Sequence, residues 1–181
     1  IFCNSLSYSG MFCFLSAGSI VYTGLFGVAP KHFGYFFLLN ILVMMTATSL
    51  NGKFVTKIGV EKSLRLGLTI QLIAGVWLLV CGIFHLGLWA TVVGVATYVG
   101  LVSVVSSSAN AAILDMYPEV AGTANSLTGM LRFGIGSVVG MLLALFTIDT
   151  ERPMVFAMAI CIVVAVISYV GLVRGELQAH N

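Results

Sequence analysis

The spacing of the charges constrains this chain more than any other feature. Apolar stretches of roughly 20 residues alternate with short segments that hold most of the charge, and about 20 helical residues cross a hydrocarbon core of about 30 Å. Only 8% of the residues are charged while 60% are hydrophobic, and the mean hydropathy is +1.11. A soluble domain needs a far more charged surface. In lipid, backbone N–H and C=O groups must be satisfied within the protein, so such a chain folds as a bundle of spanning helices. The expected class is an all-α membrane protein.

Apolar runs bounded by charges or turn residues predict six spans. They are Ile1 to Thr23, Phe33 to Leu50, Leu66 to Phe84, Leu88 to Leu114, Leu127 to Ile148 and Met154 to Val173. Between the second and third lies the basic segment Asn51 to Lys62, followed by Arg65. Lys and Arg resist translocation, so this segment is expected on the cytoplasmic side. Parity then puts Lys53, Lys57, Lys62, Arg65 and Arg174 inside, and Lys31 and Arg152 outside. Both ends are expected in the cytoplasm. The opening Ile1-Phe-Cys lacks a Met and reads as helix interior, so the chain looks like a piece of something longer.

Other classes find little support. The net charge of +2 and the isolation of the basic segment speak against a nucleic-acid surface. Cys3, Cys13, Cys81 and Cys161 lie in apolar runs without paired spacing and read as packing residues, not as metal ligands or disulfides. No cofactor motif is present. An intramembrane protease needs an embedded Ser–His pair, but His32, His85 and His180 fall in loops or the tail. The Gly-x-Ser-Gly loop of rhomboid proteases is missing, since Gly134-Ile-Gly-Ser137 is followed by Val138. Paired Asn-Pro-Ala repeats of a water channel are missing too.

The spans differ in polarity. The third and sixth are the most apolar, and the sixth is expected to face lipid over much of its circumference. In the first, Ser5, Ser9, Phe12, Ser16, Ser19 and Thr23 recur at helical spacing and form one stripe, equally suited to helix packing or cavity lining. The fourth repeats Gly100, Ser103, Ser107 and Asn110. In the fifth, Gly122, Ser126, Gly129, Gly136 and Gly140 form a small-residue face, of which Gly129, Gly136 and Gly140 are expected to let another helix approach closely.

Arg132 is the one ion expected at bilayer depth. It lies ten residues past Gly122, about 15 Å along a helix axis. Such an arginine costs at least about 2.5 kcal/mol unless it is hydrated, paired or snorkelling. Two readings fit: a cation facing a water-filled pathway, or a structural arginine bonded to its neighbours. No Asp or Glu lies at comparable depth in these spans.

These residues resemble the major facilitator superfamily. Gly52, Lys57 and Gly59 match a degenerate copy of its Gly-x-x-x-Asp-(Arg/Lys)-x-Gly-(Arg/Lys) loop motif, with Thr56 in place of the Asp and Val60 in place of the last basic residue. Gly10 to Gly18, Ile113 to Pro118 and Ala121 to Gly136 resemble the bicyclomycin-resistance (Bcr/CflA) branch of drug:proton antiporters. The resemblance runs over essentially all 181 residues and corresponds to the C-terminal six-helix half of a twelve-helix transporter.

The resemblance implies alternating access between two six-helix bundles, with substrate bound between them. The whole chain, residues 1–181, is then a single C-terminal bundle of two inverted three-helix repeats, with the first, second, fourth and fifth helices toward the cavity. Phe12, Ser16, Ser19, Asn40, Met44, Ser107, Asn110 and Arg132 are expected to line it. The implied function is multidrug efflux by proton-coupled antiport across the bacterial inner membrane. Its partners would be the N-terminal half, small amphiphilic drugs, protons and the lipid bilayer, and no nucleic acid. The alternatives are an exporter of a small metabolite such as a sugar or amino acid, and a six-helix assembly module without transport activity.

Overall fold

The computed structural model of the protein describes the backbone of residues 2–116, 119, 121–145 and 150–179, with side chains to residue 171 except that of Met116. Ile1, Tyr117, Pro118, the end of the fifth expected span at Phe146 to Ile148, and His180 lie outside the described residues. The elements are α1 (Phe2–Ser19), which runs into a π-helical turn at Ile20–Leu25, α2 (Pro30–Ile58), α3 (Val60–Phe84), α4 (Leu88–Met116), α5 (Ala121–Ala144) and α6 (Arg152–Ala179). No strand occurs among the described residues.

Five helices, α2 to α6, are long and apolar enough to cross a membrane. The exception is α1, whose first half carries Asn4, Ser5, Ser7 and Ser9. All four are buried. Neighbouring helices cover this part of α1, where Ser7 and Ser9 are hydrogen-bonded within the protein while the buried Asn4 amide has no hydrogen-bond partner.

The basic segment expected as a loop is helical. α2 continues to Ile58, α3 begins at Val60, and Gly59 alone separates them. Nothing between Leu50 and Ile58 breaks a helix, and Lys57 in the last turn of α2 suits the negative end of its dipole. Gly59 turns the chain at φ 85°, a region open to glycine without side-chain cost. Its N–H donates to the Val55 carbonyl at 2.9 Å, and its own carbonyl accepts from Ser63 N–H at 3.1 Å. The two helices thus meet in an elbow. Behind it, Asn51 of α2, Ser63 of α3 and Ser108 of α4 form a polar node. Ser63 donates to Asn51 Oδ1, its hydroxyl lies 3.1 Å from that of Ser108, and Asn51 Nδ2 donates to Ser108 at 3.4 Å.

The most extensive helix contacts are α1 with α5 and α6, α4 with α2 and α3, and α3 with α6, while α1 also meets α4. Exchanging α1–α3 with α4–α6 maps this pairing onto itself, the pattern that two three-helix repeats produce. At the centre, Ser7 donates to Gln71 Oε1 at 2.6 Å, Gln71 Nε2 donates to the Tyr98 carbonyl at 3.4 Å, and the Tyr98 hydroxyl reaches the Ser7 carbonyl at 3.5 Å. Polar bonds between helices act as glue where lipid offers no alternative partner.

The sixth helix is buried along one side only. Its Met154, Val155, Met158, Ala159, Cys161, Ile162 and Ala165 are buried, and only one face, with Ile160, Val163, Val164 and Ile167, is exposed. A helix apolar all round gives no signal that separates lipid from protein. Here the decision comes from α3, where a Cβ on Gly75 would lie 2.5 Å from Ile162 and one on Gly82 would lie 2.5 Å from Val155. These two glycines let α6 lie close against α3. The most exposed helix is instead α2, in which only Asn40 is buried. Cys3, Cys13, Cys81 and Cys161 are all buried and free.

At the end opposite the elbow, a second cluster joins α3, α4 and α6. Arg152 donates to His85 Nε2 at 2.9 Å and to the Gly82 carbonyl at 3.1 Å. His85 Nδ1 lies 3.3 Å from the buried Glu151 carboxylate, which also accepts from Thr91 at 3.2 Å.

Candidate functional site

The helix α5 carries Arg132 near its midpoint and lies against α1 in a constant register. Arg132 stacks over the Tyr8 ring, its guanidinium carbon 4.9 Å from the centroid. One turn on, a Cβ at Gly136 would fall 2.5 Å from the Phe12 ring, and one at Gly140 would fall 2.7 Å from Ser16 Oγ. Steps of four on both helices bring Tyr8, Phe12 and Ser16 onto Arg132, Gly136 and Gly140, so the helices run parallel as ridge and groove. Gly136 and Gly140 therefore form the close seam. Gly129 does not, because a Cβ there would meet nothing within 4 Å.

Arg132 also donates to Asn110 Oδ1 of α4 at 3.4 Å. Its Nε is buried and has no hydrogen-bond partner, and no carboxylate pairs with it among the described residues. Tyr8, Phe12 and Phe133 close an aromatic cluster beside it, with centroids 5.9 to 6.1 Å apart. The guanidinium thus sits where α1, α4 and α5 converge, held by a ring face and an amide oxygen, both neutral. Cation–π attraction and an amide contact orient the charge without cancelling it.

The remaining expected residues divide between positions. Phe12 and Ser16 are half-buried in the α1–α5 seam, and Ser19 is exposed, its carbonyl accepting from Thr23 at 2.7 Å. Asn40 and Met44 join Met11, Phe14 and Val99 around a separate cavity of about 30 Å³ between α1, α2 and α4. Ser107 is exposed on α4 and donates to the Val104 carbonyl at 3.1 Å. Gly52 and Lys57 are exposed on α2, and Gly59 forms the elbow. The structure therefore brings Phe12, Asn110 and Arg132 together around the Tyr8–Phe133 cluster, sets Ser16 two turns further along the seam at Gly140, and places Asn40 and Met44 elsewhere.

Sequence reasoning left Tyr8 and Phe133 out of the site. Tyr8 lies four residues before Phe12, so helical spacing from Phe12 could have found it. Phe133 had no comparable signal, because its neighbours in the cluster come from another helix.

Comparisons with known proteins place relatives beside the chain. Over its entire length the chain is 45% identical to the Bicyclomycin resistance protein homolog of Haemophilus influenzae and covers 46% of that protein. It is 27% identical over 174 residues to the uncharacterized MFS-type transporter YdgK of Bacillus subtilis, covering 96% of this chain and 43% of the relative. The chain thus spans somewhat less than half the length of these curated relatives. No protein-family profile matches it, and no solved structure matches it. Similarity along its whole length, in a multi-pass bundle of apolar helices, makes this chain a relative of a bicyclomycin resistance protein homolog and, more distantly, of an MFS-type transporter.

Proposed function

We propose that the chain is the C-terminal half of a proton-coupled multidrug exporter of the bacterial inner membrane, its residues 1–181 forming one six-helix bundle with both ends in the cytoplasm. The observation that carries this reading is the uncancelled Arg132 at the convergence of α1, α4 and α5, beside Asn110 and an aromatic cluster. Aromatic faces accept varied apolar drugs, and a fixed cation with amides and hydroxyls adds polar contacts without demanding one shape. The exposure of α2 and of much of α5 supports a second bundle as partner, because these helices leave Met45, Met130, Phe133, Ser137 and Met141 uncovered. Protons would be moved through carboxylates of that other half.

Ser107 offers a clean test of the cavity. It is exposed, whereas Ser16 is wedged against Gly140, where added bulk would also disturb packing. In the full-length transporter, Ser107→Phe should lower efflux of the larger drugs by about tenfold, the effect of about 1.4 kcal/mol, and leave the melting temperature in place. Unchanged efflux of every drug would remove Ser107 from the cavity. Movement of a sugar or amino acid in place of drugs would favour the small-metabolite exporter, and no movement at all would favour the assembly module.

The orientation is tested separately. In the full-length transporter, Lys31→Cys and Lys57→Cys should be labelled by an impermeant maleimide from opposite sides of the membrane, because one α2 crossing separates them and the native cysteines are buried. Labelling of both from one side would overturn the topology.

A further inference from the structure

The helices α3 and α6 do not stay together along their whole length. They run antiparallel, with Gly82 against Val155 and Gly75 against Ile162, a step of seven residues on each. The next step along α3 is Leu68, and the corresponding position of α6 is Tyr169. Where two glycines drew the helices together, a leucine and a tyrosine hold them apart. The result is a groove of about 350 Å³ walled by Leu68, Leu72, Val166 and Val170, with Arg65 and Tyr169 toward the elbow end.

Its depth is informative. Arg65 lies 19 residues before Phe84, the last residue of α3, and Tyr169 lies 17 residues after Arg152, the first of α6. At 1.5 Å per residue these are about 29 and about 26 Å, close to one hydrocarbon thickness. The apolar walls therefore lie at acyl-chain depth and the guanidinium at headgroup depth, where an interfacial tyrosine also belongs. Lys53, Lys57 and Lys62 share that end of the molecule. The one carboxylate on Arg65 is Glu61 at 3.3 Å, and both side chains are exposed, so this pair holds the guanidinium only weakly. The Thr69 hydroxyl is turned back to the Arg65 carbonyl at 2.8 Å. Among the described residues, the buried Tyr169 hydroxyl has no hydrogen-bond partner.

We infer that this groove is a binding site for an anionic phospholipid, with its phosphate on Arg65 and one acyl chain between α3 and α6. A guanidinium presents a planar fork of donors that matches a phosphate. A free inorganic anion could use the fork but none of the four apolar wall residues, so the groove favours a lipid over a soluble ion. Basic pockets between helices at a charged membrane face suit such headgroups. The inference rests on the chain being a membrane bundle and not on what it transports.

The test is native mass spectrometry of the full-length transporter in mild detergent, offered phosphatidylglycerol or phosphatidylcholine with identical acyl chains. The wild type should retain phosphatidylglycerol preferentially. Arg65→Gln should lower that retention about fivefold, the effect of one basic residue at an anionic surface, with phosphatidylcholine retention unchanged. Glu61→Gln, which removes the competing carboxylate, should raise it. Val166→Trp, which fills the groove, should lower retention of both lipids. Equal retention of the two lipids by the wild type, or an Arg65→Gln variant that keeps its preference, overturns the site. Displacement of the lipid by inorganic phosphate alone would reduce it to a soluble-anion site. If Arg65→Gln fails to fold, the absence of any gain in Glu61→Gln overturns it equally. None of these readouts needs transport, so they fail or succeed separately from the efflux assays.

Discussion

Arg132→Ala is expected to cut drug efflux by the full-length transporter more than a hundredfold while its melting temperature stays level or rises. The stability side follows from what the guanidinium touches. It has one face on Tyr8 at 4.9 Å and one long bond to Asn110 at 3.4 Å, and its Nε is left without a partner. A cation–π contact contributes about 0.5–1 kcal/mol at exposed sites and about 2 when desolvated. Holding an arginine at the centre of a spanning helix costs at least about 2.5 kcal/mol. Removal therefore loses little and relieves at least as much. Transport is different, because no other cation lies near this point among the described residues, and an anionic or hydrogen-bonding substrate would lose its fixed charge.

Two companion variants separate charge from geometry. Arg132→Lys should restore efflux only partly, since an ammonium on a flexible stem reproduces neither the stacked plane nor the fork. Asn110→Asp should suppress efflux while raising the melting temperature, because a carboxylate at the end of the same side chain would neutralise the guanidinium in place. The measurement is efflux alongside thermal unfolding for all three. A structural arginine gives the opposite signature, a lower melting temperature and lower efflux together. Wild-type efflux in the alanine variant would leave Arg132 a bystander.

The second large effect is at Gly10. A Cβ there would lie 2.0 Å from the Tyr98 hydroxyl and 2.5 Å from its ring carbon Cζ. Tyr98 is fully buried at the crossing of α1 and α4, and its hydroxyl reaches the Ser7 carbonyl, so it has no free volume to enter. Gly10→Ala should therefore destabilise the bundle by about 1–3 kcal/mol, the range for overpacking a close-packed interior. The loss appears as a lower melting temperature or failure to insert stably. Tyr98→Phe removes the nearest atom but leaves the ring, so the double variant should regain part of the loss, less than additive by at least about 0.5 kcal/mol. Strict additivity would mean that the two residues do not meet. Gly134, with nothing within 4 Å of its Cβ position, is the control, and its Ala variant should be neutral or slightly stabilising.

Much of the architecture was legible in the sequence because spanning helices must satisfy their backbones internally. The helix α3 ends at Phe84 and α4 begins at Leu88, where the apolar runs end and begin in the sequence. The elbow is not legible in the charge pattern, because charge alone does not mark a loop. Charged residues can extend a helix beyond the hydrocarbon, and only Gly59 actually breaks it. Within the site, the glycine spacing at Gly136 and Gly140 announced a close seam without saying which helix would fill it. Gly129 belonged to the same pattern and fills nothing.

Composition and charge spacing by themselves determined that this chain is a multi-pass helical membrane protein, since polarity against lipid is a property of each residue in turn. They also picked out Arg132, because one charge in an apolar stretch stands out wherever it points. Only the tertiary structure decided which neighbours each helix meets: Phe12 and Ser16 on Gly136 and Gly140, Tyr8 and Asn110 on Arg132, α6 against α3. Packing between helices in lipid depends on shape matched residue by residue across elements far apart in the chain, and hydropathy, equally favourable toward lipid and toward another apolar helix, carries no record of it.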